Sequence, residues 1–171
     1  MTVCFIGHKA IKKSEELLLS LKETVTALIN RGASTFLFGS MSEFNGLAWE
    51  TVTELKHKYP QIKRIYVRSS YKHISPSYEA HLLQSYEETY FPLKIEGAGR
   101  HSYVERNYEM IDKSDYCVFY YNKHYVAPLK KQSKHTALPR SRRQSGTKIA
   151  YNYAMKKKKA IINLCATGCE E

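Results

Sequence analysis

Two short stretches carry residues whose types and spacing could do chemistry. In the first, Arg106 and Asn107 sit inside Ser102–Tyr121, a run that reads as a helix, a polar turn at Ser114-Asp115 and a strand. Val104, Tyr108 and Ile111 recur at spacings of four and three residues, so one helical face can be apolar. A guanidinium beside that face needs a partner, from the protein or from a ligand. The second stretch, Ser145-Gly146-Thr147-Lys148-Ile149-Ala150, is a small turn opening another helix, and free N–H groups at a helix start suit an anion. Together they would suit an anionic ligand such as a phosphate. The structural alternatives pair Arg106 with Glu109, use Asn107 as a loop brace, and use Asp115 as a turn cap. They also leave Glu50 as a surface charge and His8 as a packed ring.

Those residues need elements to place them. Residues 3–6 read as a strand ending in Gly7-His8-Lys9, where glycine permits a tight turn and close approach of a ligand. Residues 14–30 read as a helix with Leu18, Leu21, Val25 and Leu28 as its stripe, closed by Gly32. A strand at 35–38 runs into Gly39-Ser40, and a helix follows at about 43–58, stopped by Tyr59-Pro60. A strand at 62–67 ends at Arg68-Ser69-Ser70. This βαβαβ order predicts a parallel sheet with helices on both faces.

Beyond it the pattern predicts a helix over 77–86, a short strand near 93–95, a helix at 102–112 and a strand at 116–121. A helix at 147–157, with Ile149, Tyr153 and Met155 as contacts, and a strand at 160–164 complete the order. Residues 122–144, with Pro128, Pro139 and seven Lys or Arg, read as a long basic loop. The tyrosines between 71 and 91 read as core or dimer surface, or as a base-stacking platform. The expected fold is one α/β domain over 1–171, a Rossmann-like three-layer sandwich with a mostly parallel central sheet. Ligands in such sheets bind beyond the carboxyl ends of the strands. That gathers Gly7, His8, Lys9, Gly39, Ser40, Arg106, Asn107, Ser145, Gly146 and Thr147 as expected ligand-binding residues.

Composition narrows the function classes. With 171 residues, 43% hydrophobic and 25% charged, the chain suits a globular domain with its own core. No run of 18 apolar residues occurs, so no membrane span is expected. The opening residues read as a strand rather than a signal peptide, which makes a cytoplasmic protein the expectation. Cys4, Cys117 and Cys165 lie in apolar runs and read as reduced thiols; the Cys165/Cys169 spacing is a weak metal signal, and neither metal nor cofactor is expected. The net charge of +11 is uneven: residues 116–169 hold 12 Lys or Arg and no Asp or Glu, against 15 basic and 16 acidic residues elsewhere. Such a field attracts phosphate-bearing partners, small or large. No glycine-rich dinucleotide fingerprint follows the first strand and no Walker motif occurs, which disfavours nicotinamide enzymes and P-loop nucleoside triphosphatases.

At its motifs the chain resembles the domain of unknown function 1273 family of the SLOG superfamily. Cys4-Phe-Ile-Gly-His-Lys9 resembles that family's Thr-Gly-His-Arg opening, and Gly39 to Glu50 resembles its second motif, with Asn45 in place of the Asp and Glu50 matching the Glu. Glu105 to Asp115 is the nearest match, and Ser145-Gly-Thr147 resembles the Ser-Gly-Gly-Thr turn with one glycine fewer. The resemblance implies a Rossmann-like fold and self-association as a homodimer. The wider superfamily includes Lonely Guy phosphoribohydrolases, the DNA-processing protein A family and sensors of nucleotide-derived signals. Arg106 to Met110 is similar to the phosphoribohydrolases' Arg-Lys-x-x-Met, but their catalytic Glu falls at Ala150 here.

Three functions follow as expectations. The first is binding of a nucleotide or nucleotide-derived phosphate-bearing small molecule. The second is N-glycosidic hydrolysis of a nucleoside monophosphate, with Arg106 on the phosphate and Glu50 or Asp115 as the catalytic carboxylate. The third is binding of single-stranded nucleic acid through the basic C-terminal third.

Overall fold

The computed structural model describes residues 1–39, 41–126 and 144–165. Within them one sheet contains β1 (Thr2–Gly7), β2 (Thr35–Phe38), β3 (Lys63–Val67), β4 (Glu88–Tyr90), β5 (Tyr116–Tyr120) and β6 (Ala160–Asn163). The order across the sheet is β4-β3-β2-β1-β5-β6, and every neighbouring pair is parallel. The helices are α1 (Glu15–Asn30), α2 (Glu43–Lys58), α3 (Pro76–Leu83), α4 (Ser102–Lys113) and α5 (Gly146–Lys156). This is a Rossmann-like α/β fold.

Strand alternation divides the core into two layers. Val3, Phe5, Phe36, Phe38 and Val118 point to one face and pack under α1 and α2. Cys4, Ile6, Leu37, Cys117 and Phe119 point to the other, under Met110 and Ile111 of α4 and Ala150 and Ala154 of α5. Four of the five helix starts are marked by a serine cap: Ser14, Ser42, Ser75 and Ser145 accept from backbone N–H groups of α1, α2, α3 and α5, while α4 has no side-chain cap.

The structure departs from the sequence pattern in four places. The short strand lies at Glu88–Tyr90, and Leu93–Ile95 is a 3-10 turn. β4 is an edge strand held by polar partners: Lys63 Nζ donates to Glu88 at 2.8 Å and Arg64 pairs with Glu87 at 2.7 Å. No apolar alternation announces it. On α1 the inward stripe is Leu17, Leu21, Val25, Leu28 and Ile29, and Leu18 is exposed. On α5 the inward residues are Thr147, Ala150 and Ala154, while Met155 is exposed. Small residues there let the helix approach the sheet closely. On α4 the buried positions are Arg106, Asn107, Glu109, Met110 and Ile111, and Val104 and Tyr108 are only half-buried. Arg106 and Met110 are one turn apart, as are Asn107 and Ile111, so both polar residues lie on the buried face itself.

Candidate functional site

Chain order reverses direction between β1 and β5: β2, β3 and β4 build outward on one side of β1, and β5 and β6 on the other. Such a reversal leaves a crevice beyond the carboxyl ends of the strands. A cavity of about 660 Å³ opens there. The strands and the residues after them contribute Ile6, Gly7, His8, Lys9, Gly39, Tyr66 and Arg68. Helices α3, α4 and α5 contribute Tyr78, Tyr103, Arg106, Asn107, Gly146 and Thr147, with the caps Ser42 and Ser145. Met41, Ser69, Ser70, Tyr71 and Tyr125 complete the described lining. Among these residues none is Asp or Glu, and His8, Lys9, Arg68 and Arg106 are basic.

Arg106 is 4% exposed, and its Nε and Nη2 donate to Asn107 Oδ1 at 3.3 and 3.1 Å. No carboxylate among the described residues pairs with it. Glu109 is taken by Lys94 at 2.5 Å and Lys113 at 3.0 Å. Burial pulls the Arg106 pKa down to about 10, with Tyr66 acting in the opposite direction. At neutral pH the guanidinium is therefore still charged and desolvated, and among the described residues it is answered only by an amide oxygen, which is a costly arrangement.

The start of α5 presents a second set of donors. Ser145 Oγ accepts from Lys148 N at 3.2 Å, and Ser145 O accepts from Ile149 N at 3.1 Å. The N–H groups of Gly146 and Thr147 have no acceptor among the described residues and lie at the cavity. Free N–H groups at the positive end of a helix dipole favour an anion.

His8 is 1% exposed. Its Nε2 accepts from Asn122 N at 2.9 Å, and its ring stacks on Tyr125 with centroids 3.8 Å apart. With Nε2 as acceptor the neutral ring carries its proton on Nδ1, which is buried with no partner among the described residues. Burial lowers the His8 pKa, and the Asn122 carbonyl oxygen, 3.2 Å from Nε2, opposes that shift. The two strand-end glycines are required by internal packing. A Cβ at Gly7 would overlap the Phe44 side chain, and one at Gly39 would lie 2.7 Å from both Arg106 Nε and Met110 Sδ.

The expected catalytic carboxylates do not reach this cavity. Glu50 is exposed on α2, whose inward side is Phe44, Asn45, Leu47, Ala48, Thr51, Val52 and Leu55. Asp115 precedes β5, at the opposite end of the sheet, and its Oδ2 accepts from Thr2 N at 2.7 Å. Neither lines the cavity. Ser40 and residues 127–143 of the basic loop lie outside the described residues, as does Cys169. Among the described residues no cluster of three or more His, Cys, Asp or Glu could hold a metal ion, and no helix is long and apolar enough to cross a membrane.

Tyr71 and Tyr78 come from the tyrosine-rich stretch flagged in the sequence. Tyr66, Tyr103 and Tyr125 were not flagged. The signal for Tyr66 and Tyr125 was position: each sits at or just after the carboxyl end of a strand. Tyr103 lies one turn before Asn107 on α4 and is exposed.

No protein-family model matches the chain, and no curated protein does. Among solved structures the chain is similar to DNA processing protein A from Helicobacter pylori, described for its single-stranded DNA binding mode. The match has 19% identity and a TM-score of 0.51, and covers 94% of this chain. This chain spans 63% of that chain's length. The likeness is one of fold: an α/β Rossmann-like sheet.

Proposed function

We propose that the chain is a binding protein for a nucleotide or nucleotide-derived, phosphate-bearing small molecule, held at the carboxyl ends of the strands. The observation that carries this reading is Arg106, buried and without a carboxylate partner among the described residues, on a cavity whose described lining has no acid. An anion supplies the missing partner, and the N–H groups of Gly146 and Thr147 add uncharged donors. The acid-free lining also argues for binding without cleavage, because hydrolysis of an N-glycosidic bond calls for a carboxylate beside the ribosyl carbon. Titration calorimetry with nucleoside monophosphates tests the reading. Micromolar binding, with no free base released on long incubation, is the expected result. The absence of any binder among nucleotides would overturn it.

A second reading is single-stranded nucleic-acid binding. It is supported by the acid-free 116–169 segment and by what the fold neighbour is described as binding. It predicts affinity for oligonucleotides that falls steeply as salt rises.

A further inference from the structure

Tyr71 is 76% exposed, yet it lines the cavity. Its backbone has φ of +60°, the left-handed region that a tyrosine rarely adopts and that costs stability. The neighbouring residues hold it there. Arg68 Nη1 donates to Tyr71 O at 2.7 Å and to Lys72 O at 3.4 Å, and Lys72 Nζ pairs with Glu96 at 2.8 Å. A cavity-lining guanidinium is thus committed to fixing the turn that carries an exposed ring. Tyr78 and Tyr103, from two other elements, are also about half exposed at the same cavity. Tyr103 borders the α5 start, where a Cβ at Gly146 would stand 3.6 Å from its ring.

Resting on the reading of the cavity as a nucleotide site, we infer that Tyr71 is the platform on which an unpaired nucleobase stacks while the phosphate of the same nucleotide lies at Arg106. A strained backbone that presents an aromatic face to solvent is compensated when a flat π system covers that face. Stacking of this kind accepts any base and requires it to be unpaired. The ligand class is therefore a 5′-phosphorylated nucleotide unit, either free or at the end of a single strand. Arg68 is a positioning residue: it acts through Tyr71.

The experiment titrates the full chain with a nucleoside 5′-monophosphate and with ribose 5-phosphate, which lacks the base. The mononucleotide is expected to bind about tenfold tighter or more. Tyr71→Gly accepts φ of +60° without strain, so its fold is kept. It should erase that tenfold advantage and leave ribose 5-phosphate binding unchanged, while Tyr71→Trp retains it. Arg68→Gln should reduce the advantage of the mononucleotide over ribose 5-phosphate, and should reduce it no further in Tyr71→Gly. Equal affinity of both ligands for the unaltered chain, or an advantage that survives Tyr71→Gly, overturns the inference while the phosphate site stands. Failure of both ligands to bind overturns the phosphate site with it. A 5′-phosphorylated oligothymidylate that displaces the mononucleotide, where its 5′-hydroxyl form does not, places the unit at a strand end. Displacement by neither oligomer places it on a free nucleotide. Tyr71 remains the platform in both cases.

Discussion

Arg106 and Glu109 stand one turn apart on α4, and they do not pair. Glu109 faces Lys94 and Lys113, and Arg106 is left with the amide oxygen of Asn107. A salt bridge between them would have made Arg106 structural. Its absence makes Arg106 a stored electrostatic cost placed beside a cavity.

That cost predicts how a neutral replacement behaves. Arg106→Met removes a desolvated charge but leaves Asn107 Oδ1 without its donor, a loss of about 1 kcal/mol. Relief of the buried charge is worth more, so stability in urea is expected to hold or rise by about 1–2 kcal/mol. A fall of more than about 3 kcal/mol would instead mark Arg106 as part of the scaffold.

Gly39 separates packing from charge. Gly39→Ala puts a methyl group 2.7 Å from Arg106 Nε and Met110 Sδ. Overpacking of this kind costs about 1–3 kcal/mol, and it pushes the guanidinium from its place. Both the unfolding midpoint and ligand affinity should fall. Gly7→Ala meets Phe44 instead, so its expected effect is on stability. Unchanged affinity in a folded Gly39→Ala chain would show that the guanidinium position does not matter for binding.

His8 predicts a pH dependence. Its folded pKa lies below the ordinary 6.5 because of burial. The unfolded chain therefore binds the proton more readily. Stability is greatest above pH 6.5 and declines as pH falls through the interval down to the folded value, by at most about 1.4 kcal/mol per pH unit. Glu87, Glu109 and Asp112 have lowered pKa values, set by Arg64, Lys94 and Lys113 against the opposing effect of burial, so their contributions are lost only at more acid pH. Urea melts between pH 7 and about 5.5 should show the decline in the unaltered chain and a flatter profile in His8→Phe.

The two carboxylates expected to be catalytic should be silent. Glu50→Gln should leave both ligand affinity and stability unchanged, since Glu50 is exposed on α2. Asp115→Asn should leave affinity unchanged and weaken the tie to Thr2 N. Loss of binding in Glu50→Gln would mean that the helix presents a different face to the ligand.

Much of the scaffold was legible because it rests on local signals. The Leu47, Val52 and Leu55 spacing and the Tyr59-Pro60 stop define α2, and the βα alternation defines a parallel sheet. The gathering of Gly7, His8, Lys9, Gly39, Arg106, Asn107 and Ser145–Thr147 at one cavity follows from that topology alone. What was not legible depends on contacts distant in sequence. β4 is specified by Lys63 and Arg64 reaching Glu88 and Glu87. Helix spacing gave Glu50 a face but not its direction relative to a strand end, and the structure places it exposed on α2, outside the cavity lining. The role of Arg68 was hidden because its partners are backbone carbonyls of a turn with a left-handed Tyr71.

The most direct measurement is calorimetric titration of a nucleoside 5′-monophosphate into the unaltered chain and into Arg106→Met, each first shown to be folded by its urea transition. Micromolar binding to the former, and a loss of at least about 30-fold in the latter at equal or higher stability, is the predicted result, as a charge-assisted contact to phosphate requires. Equal affinity in the two chains would contradict the account, because the guanidinium, with no carboxylate partner among the described residues, would then have no ligand to explain it.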